Sequence, residues 1–302
     1  MYTSYKYRGW LLSVAITGVV LLSSCSKDNP NNLPSVSPAD FAGKIQGFDS
    51  SEQVASDHLV AYWSFDGTKD EILSGTAPTS SVNDTYIDKG VRGKALALDS
   101  GYVYYAKQIP ALGASLHSFT ILAWIQILNN GSTPTQLFQL ARPGNETGDI
   151  NFLLSTDAYP SSNTDTLIVN SNYFDGKGTQ NNLNANWNPD GPNTFRTPKI
   201  GADTWTQVGI TYDSSSNTIQ IWGDGQRIGT TSYQNRGTNY YSPTVPNEVI
   251  IGGWYNNIPG SMITPSPSKK DMVGSVDEIR IYNEALGAAD ILALYELGEA
   301  GQ

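Results

Sequence analysis

Cysteine, histidine and charge are all scarce in this chain. A single cysteine, Cys25, stands among 302 residues, so no intrachain disulfide can staple the fold, which must rest on its own core. The two histidines, His58 and His117, fall at expected strand edges, without the spacing of a metal-ligand set or a nucleophile–base pair. Charged residues make up 15% of the chain, against roughly a quarter in ordinary domains, and the formal net charge is −10. Without a basic patch to displace counterions from phosphates, nucleic acid is excluded as a partner. Phosphate-loop, dinucleotide and metalloprotease motifs are missing. So are internal repeats and any alternation of strands with helices, which removes parallel-sheet architectures.

Glycine, asparagine, serine, threonine and tyrosine take the vacated share, a mixture suited to an extracytoplasmic β-protein with long polar loops. At the start, Lys6 and Arg8 precede an apolar stretch from Trp10 to Leu22, too short to span a bilayer well. Leu22-Ser-Ser-Cys25 closes it and resembles a bacterial lipobox. Residues 1–25 therefore read as a lipoprotein signal peptide, with Cys25 acylated after cleavage; the competing readings are an uncleaved anchor or a buried thiol. Acylation implies an outer-membrane lipoprotein facing the cell surface or the periplasm. Residues 26–56, rich in Pro, Asn and Ser, read as a flexible tether.

Residues 57–302 read as the folded domain. Alternating or β-branched runs punctuated by turn residues predict strands over 58–65, 95–98, 102–105, 118–128, 136–141, 150–155, 166–170, 204–212, 218–222, 226–229, 248–252 and 274–282. Asp99-Ser-Gly101 reads as a turn between two of them, and Asp224-Gly225 as a tight hairpin. A helix is expected from Ala288, with Gly298 as its C-cap. Residues 171–199, 231–247 and 254–272 read as long loops, which in a compact domain are commonly functional. The fold class that follows is all-β: a two-sheet antiparallel jelly-roll sandwich with a short C-terminal helix.

Six segments carry a family resemblance: Leu59-Val-Ala-Tyr-Trp-Ser-Phe-Asp-Gly67, Gly93-Lys-Ala-Leu-Ala-Leu-Asp99, Phe119-Thr-Ile-Leu-Ala-Trp124, Trp205 to Asp213 with the Asp224-Gly225 hairpin, Val249-Ile-Ile-Gly-Gly253, and Gly274 to Tyr295. In this order they resemble the laminin-G-like branch of the concanavalin A-like lectin/glucanase superfamily. The resemblance implies a sandwich with one concave sheet. Members bind glycans, cleave them or act as adhesion modules, and fold alone does not choose among these. It also implies a structural calcium where first and last strands meet, with Asp66 and Asp277 at the matching positions. Strict alternation places Asp277 on the face of Ile279 and Ile281, where a carboxylate needs a partner. The competing reading is an Asx turn at Asp66 and a backbone amide capped by Asp277.

Loop aromatics interleaved with amides are the candidate carbohydrate contacts: Tyr173, Trp187, Tyr240, Trp254 and Tyr255. Sugar CH faces stack on such rings while Asn and Gln meet the hydroxyls. The competing reading is that these rings pin loops to the sandwich. Glycosidase chemistry uses two carboxylates flanking the scissile bond, and strict alternation turns the adjacent Asp277 and Glu278 to opposite faces. The leading expectation is a membrane-anchored module that binds glycan or polysaccharide without cleaving it. The alternatives are a protein-binding adhesion module and a divergent glycoside hydrolase of the same fold.

Overall fold

The computed structural model describes residues 43–185, 196–261 and 263–302. The expected signal peptide with Cys25, the first part of the expected tether and Trp187 lie outside these residues. Gly43–Gln302 form one compact unit. Its strands are β1 (Leu59–Trp63), β2 (Ser80–Ile87), β3 (Ala95–Tyr105), β4 (Phe119–Gln126), β5 (Thr135–Ala141), β6 (Ile150–Leu154), β7 (Asn170–Phe174), β8 (Thr179–Leu183), β9 (Thr206–Asp213), β10 (Thr218–Gly223), β11 (Gln226–Arg227), β12 (Glu248–Ile251) and β13 (Met272–Tyr282), followed by helix α1 (Ala288–Glu299).

The strands run β11-β10-β9-β4-β13-β3-β12-β5-β6-β7-β8 in one antiparallel sheet, with β1 also on β13 and β2 on β3. This sheet curls until its ends meet. Asn182 of β8 donates to the Ile219 carbonyl of β10 at 2.8 Å, and the rings of Tyr173 and Tyr212 lie 4.6 Å apart. The enclosed core runs from Trp63, Tyr105 and Phe138 to Phe119, Tyr173, Tyr212 and Tyr241. An all-β sandwich with one C-terminal helix is what the sequence led us to expect.

The details differ in instructive places. Asp99-Ser-Gly101 does not turn the chain; it runs through the single eleven-residue strand β3. Gly101 is there for proximity, since a Cβ would stand 2.4 Å from the Val82 carbonyl oxygen of β2. The β2 strand itself sits in a stretch that reads as polar loop, because none of its residues is fully buried and no apolar run marks it. The expected loop over 171–199 contains the β7–β8 hairpin, closed by Asp175 Oδ1 accepting the amides of Lys177 and Gly178 at 2.8 and 2.7 Å. Asp224 and Gly225, both left-handed, form the expected tight turn. Gly298 does not end α1; it lies inside the helix, where a Cβ would come within 2.4 Å of the Trp124 ring.

Part of the expected tether is also folded. Ile45, Phe48 and Val54 pack with Leu122, Trp222, Tyr282 and the inner face of α1 in a second apolar cluster on the sheet's outer face. This strap and α1 share the cover of that face.

The alternation expected for β13 fails at one point. Asp277 pairs with Trp124 and Arg280 with Leu122, so Glu278 and Ile279 together oppose Ala123, and Glu278 takes a left-handed φ of +49°. This bulge resets the strand. Val276, Ile279 and Ile281 all enter the core. Asp277 therefore does not share the isoleucine face.

Beyond the bulge lies a buried charge network. Arg280 donates to Glu278 at 2.7 Å with both side chains 4% exposed. Tyr62 donates to the other Glu278 oxygen at 2.7 Å, and the Arg280 guanidinium lies 4.7 Å from the Tyr62 ring centre. Ser51 Oγ of the strap accepts from Arg92 and Arg280 at 2.8 and 2.9 Å. Removing one member of such a pair strands the other charge. Arg280→Met should thus lower stability by about 3–5 kcal/mol in urea unfolding, and the double change Glu278→Leu with Arg280→Met should recover most of it.

Candidate functional site

The structure brings Asp66 and Asp277 to one turn, Gly90-Val-Arg-Gly93, as acceptors of backbone amides. Asp277 Oδ2 accepts from Val91 and Arg92 at 2.7 and 3.3 Å, and its Oδ1 accepts from Glu278 at 3.0 Å. Asp66 Oδ1 accepts from Lys94 at 2.7 Å. The two glycines make room for these carboxylates. A Cβ at Gly93 would stand 2.0 Å from Asp66 Oδ1, and one at Gly90 2.7 Å from Asp277 Oδ2. Burial, then the Glu278 carboxylate, push Asp277 up to about 8 against the pull of its amide bonds.

Calcium needs several converging oxygens free to bind it. Here both Asp277 oxygens already face N–H donors, and no third acidic, His or Cys side chain completes a cluster among the described residues. This donor set does not fit a calcium cage; Asp277 matches the amide-capping alternative, while Asp66 caps the distant Lys94 amide in place of the expected Asx turn. Asp277→Ala should cost about 1–3 kcal/mol by stranding buried amides. Thermal unfolding with and without chelator should show the same loss.

The loop aromatics divide unevenly. Tyr173 is fully buried and donates to the Asn239 carbonyl at 2.7 Å. Trp254 donates to the Lys270 carbonyl at 3.2 Å, and the Tyr255 hydroxyl accepts from the Gly144 amide at 3.3 Å; both rings are buried. These three are corrected from ligand contacts to loop anchors, because a ring gains more by burial against the sandwich than it would exposed at a loop tip. Tyr240 remains 52% exposed. Its loop is held from beneath by Asp149, whose Oδ2 accepts the Thr244 amide at 2.7 Å.

Burial raises the Asp149 carboxyl from 3.8 to about 6, with the Thr244 bonds and the Arg142 guanidinium opposing. The folded state thus holds this proton more tightly than the unfolded chain. The resulting stabilisation is complete below pH 3.8 and is lost as pH rises through about 6. Asp149→Asn should flatten the fall in melting temperature across that window.

A groove of about 620 Å³ opens where β4 ends and β13 begins. Gln126 and Ser275, cross-strand partners on β4 and β13, line it, and neither side chain has a hydrogen-bond partner among the described residues. Leu128 and Val273 are exposed along it. Side-chain hydrogen bonds hold the loop after β4. Asn129 donates to the carbonyls of Asn163 and Thr166 at 2.9 and 2.8 Å, and Asn130 Oδ1 accepts the Ser132 and Thr133 amides at 2.8 Å. Lys270 and Asp271 are the ionisable residues along the groove. Burial raises the Asp271 carboxyl, against a hydrogen bond from Asn257. Asn129-Asn-Gly-Ser-Thr133 carries neither the aromatic rings nor the paired carboxylates by which the sequence pointed to candidate sites. The usable signal was an amide- and hydroxyl-rich run directly after the longest apolar strand.

A laminin-G-type family model, described as the concanavalin A-like lectin/glucanases superfamily, matches residues 99–292. The chain belongs to this superfamily. Solved structures with similar folds include the binding domain of botulinum neurotoxin serotype C1, 15% identical with a TM-score of 0.51, covering 80% of this chain and 52% of that one. The serotype G binding domain is similar at 12% identity and a TM-score of 0.51, over 79% of this chain and 50% of that one. Domain 4 of AbnA, an arabinanase from Geobacillus stearothermophilus solved with arabinotriose, is 14% identical with a TM-score of 0.49, over 79% of this chain and 98% of that one. At such identities the superfamily fold is what is shared. The chain spans about half the length of the two toxin domains. No curated protein sequence matches.

Proposed function

We propose that this superfamily member is a non-catalytic carbohydrate-binding module, held on a membrane through an acylated Cys25. The observation that carries the reading is the groove at the end of β4 and the start of β13. Its volume of about 620 Å³ falls in the range of small-ligand sites. Its Gln126 amide and Ser275 hydroxyl are free to meet sugar hydroxyls, and Leu128 and Val273 offer apolar surface to CH faces. A neutral, polyhydroxylated ligand suits that lining. Glycoside hydrolysis uses two carboxyl groups roughly 5–10 Å apart. The described lining supplies one, Asp271, and its Oδ1 is occupied by the Asn257 amide at 2.8 Å. That favours binding over cleavage. An adhesion role with a protein partner uses the same exposed surface and is the outcome to be separated.

Affinity electrophoresis against neutral polysaccharides tests the reading. Wild-type protein should be retarded by at least one of them, and Gln126→Ala with Val273→Glu should abolish the retardation. Val273 is 60% exposed, so its change should leave the melting temperature in place. Retention by no polysaccharide, or retention indifferent to both changes, would sink it.

A further inference from the structure

We propose a second binding site, for a short acidic saccharide, in the groove between α1 and the β10–β11 hairpin. Six arginines fall among the described residues, at 92, 142, 196, 227, 236 and 280. Four have work within the fold. Arg92 bonds Ser51 and Glu52, Arg142 bonds the Thr147 carbonyl and lies over Phe174, Arg236 bonds Gln180, and Arg280 bonds Glu278. The remaining two, Arg196 and Arg227, are exposed and make no side-chain hydrogen bond, ion pair or ring contact among the described residues. Both line the same groove, of about 720 Å³.

This coincidence is informative because carboxylates outnumber cations in the chain by 28 to 18. Partners for a surface guanidinium are plentiful, yet none of the described residues lining this groove is acidic. Guanidinium forks match carboxylate or sulfate oxygens in paired, charge-assisted hydrogen bonds. The remaining lining suits a sugar ring. The Gln226 amide stands at the hairpin, and Ile228 and Leu292 supply apolar surface. Trp222 also lines it, its indole fixed by a 3.1 Å bond to Thr211 Oγ1. A net charge of −10 repels long polyanions, so a ligand of two or three sugar units is favoured over an extended chain. The groove is separate from the β4–β13 groove and shares no lining residue with it.

Calorimetric titration of the full chain at low ionic strength tests this with trigalacturonate as the carboxylate probe and a sulfated disaccharide as the sulfate probe. At least one should bind, and a neutral trisaccharide should not bind in its place. Arg196→Gln with Arg227→Gln should weaken the bound anion roughly tenfold or more. Added salt should weaken it further. Both residues are exposed and unpaired, so the melting temperature should hold. Val273→Glu, which blocks the other groove, should leave the affinity unchanged. Binding of neither anion, indifference to the double change, loss on Val273→Glu instead, or preference for an acidic peptide would each overturn the proposal. Failure of neutral polysaccharide binding would not touch it.

Discussion

The constraint on which the rest of the molecule depends is the bulge in β13. This strand pairs with β1, β3 and β4 at once. It is the seam through which one sheet becomes two layers. A strand in strict alternation through residue 282 would send Ile279 and Ile281 outward if Val276 faced the core. The extra residue at Glu278 lets all three face inward, and it turns Asp277, Glu278 and Arg280 together toward the outer face. The Gly90–Gly93 turn, the strap and the guanidinium groups of Arg92 and Arg280 all assemble on the polar surface so created. An apparent anomaly in the amino-acid pattern is thus the device that organises the first strand, the last strand and their cover.

Much of this architecture was legible beforehand. The β4 run, the Trp205 to Asp213 segment and the Asp224-Gly225 hairpin announce themselves through β-branched content, alternation and turn chemistry. What stayed hidden shares a physical cause. A bulge leaves no mark in residue type when its left-handed residue is a glutamate rather than a glycine. Gly101 and Gly298 mislead in the opposite sense, because glycine chosen for close approach looks the same as glycine chosen for a turn. The β2 strand and the β7–β8 hairpin are half polar on both faces, so composition argued for loop where pairing with a neighbour decided for strand.

The candidate sites were less legible than the fold, and the reason is geometric. Aromatic residues in loops look alike whether they meet a ligand or hold the loop down. Tyr173, Trp254 and Tyr255 hold loops down. Asp66 and Asp277 lie against one turn, but their partners there are amides, which no side-chain pattern can show. Conversely, a groove made by Gln126 and Ser275 depends on two strands distant in sequence lying side by side. The unpaired state of Arg196 and Arg227 is likewise a property of neighbours, visible only once the other arginines have found theirs.

The strap along the outer face has a mechanical meaning. Any tension arriving from the N-terminal side reaches the sandwich at residues 43–58. There it meets Val54 in its apolar cluster and the Ser51 and Glu52 contacts to two arginines. The Asn283 amide also donates to the His58 carbonyl at 2.9 Å, just before β1. The strap precedes β1 in the chain, so its contacts to α1, Arg92 and Arg280 come between the N-terminal side and the first rung of the sheet ladder.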